Sequence, residues 1–171
     1  MQIYAALKSD HKIVKQILKQ LDATSESTPE KRLRYLKQLK EALVPHSRAE
    51  ERVFYDRLKH SEVEEADDLA FEGYEEHAVV DSILAKLETT PPNEKRWTAL
   101  ISVAKELLEH HIQEEEGTLF KKAKQSFDRR TTTEMAEEFS KLKTDFLKQL
   151  KAGNLPEQGS SDGSGGMAEA A

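Results

Sequence analysis

Apolar residues recur three and four positions apart along most of the chain, with polar residues between them, which is the period of helices that bury one face. The first predicted helix runs from about Gln2 to Asp22, with Ile3, Leu7, Val14, Leu18 and Leu21 on one side, and the polar stretch Ala23 to Thr28 ends it. Thr28-Pro29 then sets a cap residue before a proline at the first helical position, and Leu33, Leu36, Leu39, Leu43, Val53 and Leu58 carry the second stripe towards residue 59. Pro45 lies inside that stripe, where it removes a backbone donor and crowds the preceding turn, so a kink is expected beside His46. A third helix is predicted over about Glu65 to Glu88, with Ala70, Tyr74, Val80, Leu84 and Leu87 inward, and Thr89-Thr90-Pro91-Pro92 closes it. The fourth spans about Asn93 to Gln125 and turns Trp97, Leu100, Ala104, Leu107 and Leu119 inward.

Thr131 to Glu134 reads as a capping box that opens a fifth helix of Met135, Phe139, Leu142, Phe146 and Leu150, packed outside the other four. From Gly153 onward the chain is Gly, Ser, Ala and acid, with almost nothing to bury. The pattern therefore predicts an all-α, up-down-up-down four-helix bundle over residues 1–127, an accessory C-terminal helix over 128–152 and a disordered tail over 153–171.

Composition narrows the chemistry. The 171 residues include no cysteine, which excludes disulfides, thiolate metal sites, iron–sulfur clusters and cysteine nucleophiles, so any metal must be held by histidine and carboxylate. Met1-Gln2-Ile3-Tyr4 lacks a basic region followed by an apolar run, and no apolar stretch approaches the roughly 20 residues of a membrane span. A soluble, cytoplasmic chain without a membrane partner is expected. The formal charge of −6 opposes non-specific nucleic-acid binding, and the cations between Lys31 and Lys40 read as a solvated helix face.

An internal repeat organises the candidate chemistry. Ser9 to Leu18 lies over Glu75 to Leu84 at an offset of 66, and His11 coincides with His77. His46 to Tyr55 lies over His111 to Phe120 at an offset of 65, so that His46-x-x-x-Glu50 coincides with His111-x-x-x-Glu115. Two helical hairpins share one plan, and two copies of so long a period fit a pseudo-symmetric bundle better than an open array.

Histidine with an acid four residues later puts both side chains on one helix face, ~40° apart. Alone, that spacing says little here, because 32 residues are acidic and His46, His60, His77, His110 and His111 all have an acid at that distance. Position on the apolar stripe selects among them. His11, His46, His77 and His111 fall on the stripes, with Glu50 and Glu115 one turn on, whereas His60 sits in a polar run and His110 lies ~100° from the inward face. An unpaired buried carboxylate is costly, and a metal neutralises two of them and uses the imidazoles as ligands, which a metal-free hydrogen-bonded cluster does less well.

The ordered set His11, His46-x-x-x-Glu50, His77, His111-x-x-x-Glu115 resembles the hemerythrin-like HHE family over about residues 1–125. The resemblance implies a bundle holding two non-haem irons, oxo- or hydroxo-bridged, with Glu50 and Glu115 bridging and the four histidines terminal. Oxygen carriers of the family have a further histidine one turn before the third-helix ligand, where this chain has Gly73, and an Asp where it has Glu116. Helix geometry and the repeat favour Glu115 over Glu116, and Asp81 is disfavoured because its repeat counterpart is Lys15.

Loss of the carrier-type histidine is expected to open the site and to favour redox chemistry over reversible storage. The leading expectation is a di-iron protein that binds or reacts with O2, H2O2 or nitric oxide, as a peroxidase or catalase-like detoxifier. The alternative is a non-enzymatic oxygen or iron sensor in which ligand binding alters how the fifth helix or tail meets a partner. Among Tyr4, Tyr35, Tyr55 and Tyr74, Tyr74 is the first choice for a tyrosine supporting the metal site, because it lies about one turn before His77.

Overall fold

A computed structural model of the chain describes residues 1–159. Its helices are α1 (Ile3–Asp22), α2 (Pro29–Glu50), α3 (Ala66–Thr89), α4 (Lys95–Glu114) and α5 (Arg129–Lys151), with no strand among the described residues. α2 continues through a π-helical turn, Glu51–Tyr55, into a last α turn, Asp56–Leu58, and α4 continues through a matching π turn, Glu115–Leu119, into Phe120–Ser126. The first four helices form the up-down-up-down bundle that the apolar stripes predict. α2 is helical without interruption through Pro45, and the departure from α geometry comes at the π turn after Glu50 instead.

Two apolar clusters divide the interior. One joins Ile3, Leu7, Val53, Phe54, Leu58, Ala70, Tyr74, Leu119 and Phe120. The other joins Val14, Leu18, Leu39, Leu43, Val80, Leu84, Trp97, Ala104 and Leu108. Each stripe crosses from one cluster to the other at its histidine, so the polar residues of all four helices fall in one layer with packed apolar side chains above and below. That placement excludes water from the layer and fixes the rotamers around it.

The stripes misassign some positions. Leu33 is exposed, and Leu108 rather than Leu107 is fully buried on α4. Within the cationic stretch, Arg32 is buried rather than solvated. Its Nη1 donates to Pro92 O at 2.7 Å, its Nη2 to Thr98 Oγ1 at 2.9 Å, and its guanidinium lies 4.9 Å from the Trp97 ring centre, which closes the bundle at the α3–α4 loop. α5 begins earlier than the expected capping box: Asp128 is its N-cap, and its side chain accepts from Thr131 N at 2.7 Å. An aspartate at that position satisfies one of the free N–H groups of the first turn, leaving Thr131 inside the helix.

α5 lies along α1 and α2 and completes the first cluster with Met135, Ala136, Phe139 and Phe146. Residues 153–159, expected to open the tail, are irregular but docked, with Pro156 buried; the remainder of the expected tail, 160–171, lies outside the described residues. Because Met135 has no exposed surface, Met135→Ala is expected to lower stability by about 2–5 kcal/mol, whereas Leu33→Ala stays within about 0.5 kcal/mol. Urea denaturation of the metal-free protein checks both.

Candidate metal centre

His11 from α1, His46 from α2, His77 from α3 and His111 from α4 turn their rings into the polar layer, all buried, together with Glu50 and Glu115. His11 Nε2 lies 3.1 Å from Glu115 Oε2, His46 Nε2 3.4 Å from Glu50 Oε2, and His77 Nε2 3.7 Å from Glu50 Oε2. His111 Nε2 lies 3.9 Å from Glu115 Oε2 and 3.2 Å from His77 Nε2. Two triads of metal-ligating type result, His11–His46–Glu50 and Glu50–His77–His111, with the ligand atoms of each within 4.8 Å of one another and Glu50 common to both. Glu115 approaches one histidine of each triad.

All four oxygens of Glu50 and Glu115, and His11 Nε2, are buried without a hydrogen-bond partner. Such groups are expensive to leave unsatisfied, and a multivalent cation between them is the compensation that suits a carboxylate–imidazole set. Burial alone would raise Glu50, but the charge and proximity of His46, together with Glu115 and the charge of His77, outweigh it and hold the carboxyl well below the usual range. Burial and the charge of Glu50 push Glu115 well above it. Without metal, the pair therefore shares its protons as close carboxylates do; cations relieve that conflict.

The outward nitrogens are as ordered as the inward ones. His11 Nδ1 pairs with Glu116 Oε1 at 2.9 Å, His46 Nδ1 with Asp10 Oδ2 at 3.1 Å, His77 Nδ1 with Glu51 Oε1 at 2.9 Å, and His111 Nδ1 with Glu76 Oε2 at 2.5 Å. A carboxylate that accepts from Nδ1–H leaves Nε2 as the lone-pair nitrogen and makes it more basic, as a metal ligand requires. The pattern is two-fold. Asp10 and Glu76 precede the lone histidines and serve the His-x-x-x-Glu histidine of their own hairpin. Glu51 and Glu116 follow the two glutamates and serve the lone histidine of the other hairpin.

The rivals to Glu115 have other partners: Glu116 serves His11, and Asp81 pairs with Arg48. His60 and His110 are exposed. Asp10, Glu51 and Glu76 were not singled out from the sequence. The available signal was the repeat itself, which aligns an acid before each lone histidine and a second acid after each glutamate.

Tyr55, not Tyr74, is the tyrosine at the layer. Tyr74 OH donates to Glu51 O at 2.8 Å, whereas Tyr55 stacks on His77 and its hydroxyl lies 3.5 Å from His111 Nε2. In an α-helix, five residues turn the chain ~140° from Glu50; the wider π turn brings Tyr55 back over the same face. The place left by a histidine at Gly73 is not open, because a Cβ there would lie 2.7 Å from the Tyr55 ring. A cavity of about 20 Å³ remains, bounded by Tyr55, Gly73, Glu76, His111 and Glu115.

Fold and site together define a helical bundle with a buried cluster of histidine and carboxylate of metal-ligating type. The hemerythrin HHE cation binding domain matches residues 2–123, and the chain belongs to that family and binds a metal cation. It is 25% identical over 150 residues, 88% of the chain, to a DNA nickase of Nostoc sp., of whose length it spans only 41%. The crystal structure of a hemerythrin HHE cation binding domain-containing protein from Mycobacterium kansasii has the same fold. That likeness has a TM-score of 0.71 at 22% identity and covers 88% of this chain and 93% of the other. No helix among the described residues is long and apolar enough to cross a membrane.

Asp10→Asn and Glu51→Gln are each expected to weaken metal binding about 10- to 100-fold, because each histidine loses the charged acceptor that fixes its tautomer and raises its basicity. Glu114→Gln, at a partly exposed site, should leave binding nearly unchanged. Competition against a chromophoric chelator distinguishes the three.

Proposed function

We propose that this chain holds two non-haem irons, with His11, His46, His77 and His111 as terminal ligands and Glu50 and Glu115 bridging, and that it is a cytoplasmic detoxifier of peroxide, O2 or nitric oxide. The observation that carries this reading is the convergence of four Nε2 atoms on two buried carboxylates whose oxygens have no other partner. Two overlapping triads around a common Glu50 favour a pair of cations over a single one. Iron in such a ligand set would supply the electron transfer that the side chains themselves cannot perform.

The protein's own part is to size and dry the pocket and to place a hydrogen-bond donor at it. The cavity, about 20 Å³, has room for about one small molecule, and the ligands around it are buried, which favours a few-atom ligand over a polymer such as the DNA in the relative's name. Tyr55 offers a hydrogen-bond donor at its hydroxyl, since burial and then the charge of Glu50 raise its pKa well above the ordinary value and keep it a neutral phenol. With His111 Nε2 engaged by metal, that hydroxyl is free to donate to a ligand in the cavity. Its repeat counterpart is Phe120, which has no hydroxyl.

Protein from iron-supplemented cells is expected to carry two irons per chain and to consume peroxide, and Glu50→Ala or Glu115→Ala should lose the metal where Glu114→Ala does not. Tyr55→Phe is expected to keep both irons and slow peroxide consumption by about 10²-fold, the scale of a lost preorganised hydrogen-bond donor. Zinc or no metal in the purified chain would overturn the reading, and reversible oxygen spectra without turnover would replace detoxification by sensing.

A further inference from the structure

Besides the Phe139 ring packed edge-on against His46, two polar contacts reach the metal layer from the part of the chain beyond the matched family domain, which ends at residue 123. Lys143, on α5, donates from Nζ to Asp10 Oδ1 and Oδ2, both at 2.7 Å, and Asp10 Oδ2 is the acceptor that aims His46. Gly159 N donates to Glu51 Oε2 at 2.7 Å, and the other oxygen of that carboxylate aims His77. The segment is also fastened just before this bond. Arg48 Nε donates to Pro156 O at 3.0 Å, and Gln158 Nε2 donates to Tyr74 O at 2.7 Å.

We propose that α5 and residues 153–159 form a clasp that positions His46 and His77 for metal through Asp10 and Glu51, so that docking of the segment and metal binding are coupled. This rests on the metal-binding reading above. Lys143 and Gly159 are positioning residues, each one carboxylate removed from a histidine. Glu51 has no exposed surface, so each donor it loses leaves an oxygen without water to replace it. A carboxylate freed on one oxygen can swing towards another donor, and the histidine on its other oxygen loses its fixed tautomer and angle. His46 belongs to one triad and His77 to the other, so the clasp bears on both metal positions, whereas His11 and His111 are aimed by Glu116 and Glu76 from within the matched domain.

Coupling of this kind is reciprocal: if docking raises metal affinity by some factor, metal must raise the docking constant by the same factor. That supplies a test independent of activity. A Cβ at Gly159 would lie 3.0 Å from Tyr74 Cε1 and 3.1 Å from Glu51 Cβ, so Gly159→Leu in the full chain displaces the segment without removing any side-chain donor. Lys143→Met removes the other donor, and Lys143→Arg keeps the charge.

Three quantities are measured: iron affinity by chelator competition, hydrogen exchange of the 153–159 peptide with and without iron, and the ring ¹⁵N shifts of His11, His46 and His77 in the metal-free protein. Gly159→Leu and Lys143→Met are expected to keep the helical circular dichroism of the parent and bind iron about 10- to 100-fold more weakly, with Lys143→Arg close to the parent. In the parent chain, iron should slow exchange of the peptide by a comparable factor. Parent-like affinity in Gly159→Leu, with exchange showing the segment released, would overturn the clasp. If the parent bound no iron the metal reading would fail, and the ring shifts would still decide the clasp. A tautomer change at His77 in Gly159→Leu and at His46 in Lys143→Met, with His11 unchanged, supports it; no change overturns it.

Discussion

Glu50 and Glu115 lie in the middle of a helical bundle with four carboxylate oxygens that accept no hydrogen bond, and most of the structure can be traced to that constraint. Two bare carboxylates in an apolar interior repel each other and lack solvation, a combination worth several kcal/mol against folding if nothing offsets it. The four histidines face them through Nε2, and four further carboxylates hold those rings from behind. Buried charge is thus arranged in alternating shells around a space suited to cations. The two apolar clusters keep that layer dry, which makes each of its electrostatic interactions stronger than it would be in water.

The two π turns are the backbone device that the arrangement uses. Each begins at or just after the last residue of a His-x-x-x-Glu motif and widens the helix there. Glu50 and Glu51 are neighbours in sequence and both fully buried, one facing the layer and the other holding His77 from outside. The same widening returns Tyr55 to the layer beside Gly73. Symmetry is broken at this point, where one hairpin has Tyr55 and its counterpart has Phe120, so the two histidine–carboxylate triads differ in their surroundings although their residue types match.

The bundle and its polar layer were legible in the sequence because burial there follows helical periodicity. The four histidines and two glutamates sit on the stripes, and the repeat reinforces each of them. What periodicity could not supply is what depends on leaving α geometry or on contacts between distant segments. Tyr74 looked closer to the site because it lies about one turn before His77, whereas Tyr55 reaches the layer only through the π turn. The vacancy expected at Gly73 is filled because the missing side chain makes room for an aromatic ring from another helix. Asp10, Glu51 and Glu76 were hidden among the 32 acids of the chain, and only the fold distinguishes an acid behind a histidine from one in solvent. The docked segment 153–159 has too few apolar residues to announce itself, since backbone and charged groups hold most of its contacts.

The most direct measurement is anomalous scattering at the iron edge from crystals of the iron-loaded protein. Two separate peaks are predicted within the polar layer, one beside His11 and His46 and the other beside His77 and His111, both near Glu50. An empty layer, or a single peak at the surface group of Glu76, His110 and Glu114, would contradict a buried two-metal centre.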